Sequence, residues 1–182
     1  MTSEKLIQLE AAALPRWLAG ELRSDHAGET GAVAIYQGIL WLSRDEEIRR
    51  FAQHHLATEQ AHLSSIEAVT PAAARSRLLW VWRVAGFMTG ALPSLFGPRA
   101  VFATIAAVET FVDEHYLQQI ERLEREALFP ELRTLLIACR DDELAHKTEA
   151  ETALGAAPTL ILRAWCKLVD FGSRAAVALE RV

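Results

Sequence analysis

The sequence predicts an all-α fold, and three observations carry that prediction. Apolar residues recur at spacings of three and four along almost the whole chain, the period of a helix that buries one face. Alternating Val/Ile/Thr runs bounded by turn residues, the mark of half-buried strands, are missing. Pro71, Gly97 with Pro98, Pro130, and Gly155 with Pro158 stand where one periodic stretch gives way to the next.

Taken in order, Pro15 suits a first helical position and opens a helix to about Leu42. Ser43 is expected to cap a second, whose first turn holds Asp45, Glu46 and Glu47 where the helix dipole favours acids, and which runs to about Val69 before Pro71 stops it. Residues 15–70 thus form a first helix pair. Gly97 and Pro98 open a third helix to about Glu126, and Pro130 a fourth to about Leu154, so that 98–154 form a second pair. A C-terminal helix follows over 158–182. The four long helices have roughly 24 to 28 residues each, about 36 to 42 Å at a rise of ~1.5 Å per residue. Helices of that kind must pair to bury their stripes, so residues 1–182 are expected to form one four-helix bundle with additions.

With 182 residues, 51% hydrophobic and 24% charged, the chain has the composition of a single globular domain. Its 24 acids against 19 bases leave a net charge of −5, too little basic field for nucleic acid as a main partner. Cys139 and Cys166 stand far apart and are expected to be buried thiols in a reducing compartment. Glu4 and Glu10 and the lack of an apolar core near the N-terminus fit neither a secretory signal nor a transit peptide.

Between the two pairs, within 75–97, lies the stretch 78–96 (LLWVWRVAGFMTGALPSLF), bounded by Leu78 and Phe96, whose only charge is Arg83. Its length approaches a membrane span, but Arg83, two glycines and Pro93 count against spanning, and Trp80 and Trp82 near one end suit the water interface. A helix lying on or dipping into the membrane surface is favoured over a plain core helix. Gly86 and Gly90 would allow another helix or a lipid tail to come close.

The inward stripes also carry charge. On the first helix the stripe reads Leu18, Leu22, Asp25, Glu29, Ala32, Tyr36, Leu40; on the second, Ile48, Ala52, His55, Glu59, His62, Ile66. The third gives Phe102, Ile105, Glu109, Val112, Tyr116, and the fourth Leu132, Leu136, Cys139, Glu143, His146, Ala150. Each helix delivers one stripe Glu, and two of them add a His three residues on, which is the ligand set of a ferritin-like di-metal carboxylate bundle. The spacing repeats, with 30 residues from Glu29 to Glu59 and 34 from Glu109 to Glu143, as if one helix pair were used twice. Four carboxylates in an apolar bundle repel one another, and two divalent cations cancel their charge. The candidate ligands, and with them the catalytic centre, are therefore Glu29, Glu59, His62, Glu109, Glu143 and His146. His55 reads as a core histidine or a support to the ligands, His26, His54 and His115 fall off or at the edge of the stripes, and Tyr36 and Tyr116 read first as core. Asp142 is placed to accept a hydrogen bond from a ligating imidazole across the bundle.

The string Asp25-His26-Ala27-Gly28-Glu29-Thr30-Gly31-Ala32, followed by Ile35-Tyr36, resembles the signature of the demethoxyubiquinone hydroxylase family. The resemblance continues through Glu59-Gln60-Ala61-His62, the Trp-rich insert, Ala107-Val108-Glu109, His115-Tyr116, Asp142-Glu143-Leu144-Ala145-His146 and the ending Leu179-Glu180-Arg181-Val182, about 160 residues in all. Thr30, Thr110 and His55 depart from the family pattern. The resemblance implies a di-iron centre on the six residues with Glu59 and Glu143 bridging, O₂ as co-substrate, and hydroxylation of the demethoxyubiquinol ring in ubiquinone biosynthesis. It also implies peripheral attachment, on the cytoplasmic side of the cell membrane, through 78–96. Carboxylate and imidazole alone suit Fe and Mn alike. The electron donor stays open among NADH, the quinol itself and a separate reductase, since no dinucleotide fingerprint or C-x-x-C module is present. Expected partners are a polyprenylated quinol, the membrane surface, and a second copy or other quinone-biosynthesis proteins. The rival readings are a ferroxidase or iron-storage bundle and a membrane-bound scaffold with a structural metal.

Overall fold

Helix ends follow the punctuation of the chain closely. In a computed structural model that describes residues 14–181, the helices are α1 (Arg16–Leu42), α2 (Glu46–Val69), α3 (Leu79–Ser94), α4 (Pro98–Glu126), α5 (Pro130–Leu154) and α6 (Leu160–Glu180), with no strand among the described residues. Glu4, Glu10 and Val182 lie outside them. Pro98 and Pro130 occupy first-turn positions, where the missing N–H costs nothing. The α2 cap differs from expectation. Asp45 accepts from the N–H groups of Glu47 and Ile48, while Ser43 closes α1 and accepts from the Asp45 N–H. The carboxylate wins because it sits one residue before the helix and adds its charge to the dipole. The last helix begins at Leu160, later than the 158 expected, because the Thr159 side chain accepts from the Leu162 N–H.

α1 and α2 form one antiparallel hairpin, α4 and α5 another, and each hairpin carries an outer helix on its first member, α3 on α1 and α6 on α4. The seam between α1 and α3 is backbone against backbone. A methyl group on Gly86 would overlap the Gly31 carbonyl, one on Gly90 the Ile35 carbonyl, and one on Gly38 the Phe87 carbonyl. The helix that the Gly86 and Gly90 pair admits is thus α1. Among the described residues no helix is long and apolar enough to cross a membrane. A plain core helix does not describe α3 either, since Trp80, Val84, Met88 and Leu92 are exposed.

Two apolar clusters fill the bundle. One gathers Ile39, Ile48, Phe51, Phe102 and Ile105; the other gathers Leu18, Leu22, Ile66, Leu123, Leu132 and Leu136. The stripe Glu and His residues are buried along the helices that supply both clusters. The α4–α5 connection is tight, with Ala127 and Phe129 both in the left-handed region at φ 51° and 42°.

Candidate metal centre

Midway along four helices the stripes converge. Glu29 from α1, Glu59 and His62 from α2, Glu109 from α4, and Glu143 and His146 from α5 are all buried. They form two overlapping groups, Glu29, Glu59, His62 and Glu143, and Glu59, Glu109, Glu143 and His146, each with one ligand-type atom per residue within 4.8 Å of the others. Glu59 and Glu143 belong to both groups. All six sequence candidates are therefore brought together.

The imidazoles turn Nδ1 inward. His62 Nδ1 lies 3.1 Å from Glu143 Oε1, and His146 Nδ1 lies 3.2 Å from both Glu59 Oε1 and Glu143 Oε2. His62 Nε2 meets Asp142 Oδ2 at 3.0 Å, the cross-bundle contact expected from sequence. Both tyrosines do more than pack: the Tyr116 hydroxyl donates to Glu29, and that of Tyr36 to Glu109 Oε1 at 3.2 Å. His55 is buried with its Nε2 3.0 Å from Glu149 Oε2, and its ring centroid stands 4.0 Å from that of His146.

Electrostatics suit the cluster to a cation. Burial, with Glu143 nearby, pushes Glu29 up to about 8. Burial and the same neighbour hold Glu59 and Glu109 well above the usual carboxylate range. Burial would raise Glu143 too, but the imidazoles of His146 and His62 beside it outweigh burial and hold the group at about 2. Burial opposes a charge on His62, yet its bond to Glu143 wins and lifts the imidazole to about 10. His55 is held neutral, down at about 3, by burial and by His146. Glu29 Oε2, both Glu59 oxygens, Glu143 Oε2 and His146 Nδ1 are buried without a hydrogen-bond partner among the described residues. Buried polar atoms are almost always satisfied, and two divalent cations would engage every one of these and remove the repulsion between the carboxylates. The donor set fits the group.

Glu29, Glu109, Glu143 and Tyr116 also line a cavity of about 410 Å³ that opens between α3 and α6, where its walls are apolar and include Val81, Ala85, Leu168 and Ala176. A second buried polar cluster lies beside it, one that the stripe pattern missed. His115 Nε2 is 2.8 Å from Asp25 Oδ1, which also accepts from Gln119 Nε2 at 2.7 Å, and Arg181 reaches His115 Nδ1 at 3.1 Å. His26, likewise placed off the stripe, is buried with Nε2 3.1 Å from Glu67 Oε1. The one usable signal was Asp25, a charged residue on a stripe.

A family model described as ubiquinone biosynthesis protein COQ7 matches residues 16–180. The 3-demethoxyubiquinol 3-hydroxylase of Rhodospirillum rubrum is 40% identical in an alignment covering 69% of this chain and 60% of that protein. The mitochondrial NADPH-dependent 3-demethoxyubiquinone 3-hydroxylases of Dictyostelium discoideum and Rattus norvegicus are 30% and 34% identical, over 99% and 87% of this chain and 84% and 75% of theirs. The match to the Rhodospirillum protein thus spans somewhat under two thirds of that relative's length.

Proposed function

This chain belongs to the family of the ubiquinone biosynthesis protein COQ7, and from that premise we propose that it is a di-iron, O₂-dependent monooxygenase that hydroxylates the ring of a demethoxyubiquinol. The observation that carries the reading is the overlap of two four-residue donor groups at the inner end of an apolar cavity. Glu29 and His62 would hold one iron, Glu109 and His146 the other, and Glu59 and Glu143 both. When bound, the pair supplies O₂ activation, with one oxygen atom entering a ring C–H bond as hydroxyl and the other leaving as water.

The chain's own residues prepare that chemistry. Four carboxylates balance two divalent cations, so the loaded site carries no formal excess charge into the bundle. Asp142 accepts the Nε2 proton of His62, which leaves the Nδ1 lone pair directed inward. Tyr116 and Tyr36 donate to Glu29 and Glu109, the two carboxylates outside the shared pair, and so fix their rotation. The apolar clusters built by the same helices exclude bulk water from the reacting atoms. The cavity, which Glu29 and Glu109 line together with apolar residues of α3 and α6, would take the flat ring at the two carboxylates and the apolar tail along the two helices.

The electron source we assign is a reduced nicotinamide, as in the names of the Dictyostelium and rat relatives. The protein works as a peripheral protein on the cytoplasmic side of the cell membrane. Supporting this, α3 and α6 both turn large apolar side chains outward, among them Trp80 at 67% exposure and Ile161 at 86%, more than a surface facing water alone retains. The outward face of α6 adds to the 78–96 stretch singled out from sequence.

The test is complementation. A bacterial strain that lacks its own hydroxylase and accumulates the demethoxy precursor should regain ubiquinone with this gene and fail to with Glu109→Ala. Rescue by that variant would overturn the site. Iron-loaded protein that oxidises Fe²⁺ but never restores ubiquinone would move the assignment to a ferroxidase.

A further inference from the structure

The cavity mouth between α3 and α6 is held by a device that the metal chemistry does not use. At its C-terminus α6 is fixed to α1: the Arg23 guanidinium donates to the Glu180 carbonyl at 3.0 Å, and Arg181 Nε donates to Glu21 Oε2 at 3.0 Å. From that anchored end the Glu180 side chain, only 4% exposed, accepts through one oxygen from two donors across the mouth. These are the Trp82 indole N–H at 2.8 Å and the Ser76 hydroxyl at 2.7 Å. Ser76 in turn accepts from the Leu78 N–H at 3.0 Å, which fixes the approach to α3. Among the described residues the Trp82 bond is the one hydrogen bond that joins α3 to α6.

The indole also has a seat. A methyl group at Gly31 would lie 3.2 Å from Trp82 Cε3, so the ring rests on the bare backbone of α1, two residues beyond Glu29. Trp82 and Glu180 both line the cavity. A rigid aromatic plane, tethered by its only polar atom and backed by glycine, is a built surface rather than a side chain filling a gap. Farther along the mouth α6 presents Gly172, where an added methyl group would meet nothing within 4 Å, so no side chain closes the cavity there.

We propose that Trp82, tethered by Glu180, is a specificity-determining wall that seats a prenylated quinol in the mouth and steers its tail away from the closed Ser76–Glu180 end toward the open stretch at Gly172. The inference rests on the hydroxylase reading. The indole holds its plane only while the carboxylate holds the indole, so the two residues act as one unit, and removing either removes the same wall. Ring chemistry at Glu29 and Glu109 does not need it; retention of the tail does.

The test uses the full-length, iron-loaded protein in detergent micelles, with Trp82→Phe, Glu180→Ala, the double variant, and Glu180→Gln, which keeps the accepting oxygen. Calorimetric binding of prenylated ubiquinone is read alongside KM and kcat for a prenylated and a tail-less demethoxyquinol, with iron content as control. Each single variant should weaken prenylated-quinone binding and raise KM for the prenylated substrate by about tenfold, with kcat, iron content and the tail-less substrate unaffected. The double variant should match the singles, because the pair is one unit, and Glu180→Gln should stay close to wild type. Unchanged affinity in the single variants, multiplied losses in the double, or equal losses for the tail-less substrate would each overturn the wall. Wild-type protein that binds no quinone would overturn the hydroxylase reading instead, and the wall with it.

Discussion

His62 shows how much a single residue's partners decide. Its Nδ1 points at Glu143 and its Nε2 at Asp142, so the tautomer that can bind a metal is set by a carboxylate on the opposite hairpin. Asp142→Ala should weaken metal binding about 10- to 100-fold while leaving the helices intact, as read by metal titration against circular dichroism. Glu59→Ala and Glu143→Ala should go further and lose most of the bound metal by elemental analysis, because each strips a donor from both groups at once. Wild-type iron content in both would remove the site. At this scale the sequence was legible wherever a polar residue broke an apolar stripe, which picked out all six candidates, while Asp142 was read from its place one residue before Glu143. It was silent where a polar side chain reaches a partner from off the stripe, as His26 does to Glu67 and His115 to Asp25, because periodicity ranks positions by direction and carries no information about the far partner. Tyr36 and Tyr116 were found as stripe residues, but their bonds to Glu109 and Glu29 depend on which hydroxyl ends opposite which carboxylate.

Helix boundaries were legible for the same reason that they are stable: proline and capping residues act locally, and Pro98, Pro130 and Leu154 fall where the sequence puts them. The choice of Asp45 over Ser43 as a cap was not, since both residue types cap helices and only the turn between α1 and α2 selects one. How α3 would pack was legible in part. Its glycines announced a close approach, but the partner, α1, contributes Gly31, whose place in the signature string hid its packing role, and Gly38, beyond that string. Gly90→Val should force that seam apart and lower stability by about 1–3 kcal/mol or more, seen as a lower denaturant midpoint. Trp80→Glu with Val84→Glu, on the outward face, should leave the unfolding free energy within about 0.5 kcal/mol yet abolish liposome flotation, since charges on an interfacial helix oppose burial in the lipid boundary. Unchanged flotation would detach the protein from the membrane reading.

Across the whole molecule, a polar centre within a bundle built on two apolar clusters makes stability depend on what the centre holds. Chelating the metal should cost about 2.7 kcal/mol if the ions are present at ~100 times their dissociation constant, a fall of roughly 5–10 °C in melting temperature for a domain of this size. A melting temperature indifferent to chelation would mean that the carboxylates are satisfied without cations. The repeat visible as two Glu-to-Glu spacings is present as two hairpins with an outer helix each, but the two outer helices are unequal. α3 is fused to α1 through glycine seats, whereas α6 faces the cavity with Gly172, where an added methyl group would meet nothing within 4 Å, and turns Ile161 and Phe171 outward. Mechanically the cavity is a vise with one jaw seated along its length and one that is pinned at its C-terminal end and open farther along, at Gly172. Compliance confined to that open stretch means that a bulky guest should be admitted by yielding of α6 ahead of its pinned end, with the registry of Glu29 with the rest of the centre, held behind the stiff side, undisturbed. Hydrogen exchange should therefore run faster along α6 than along α3, and a bound guest should slow the first while leaving the second unchanged.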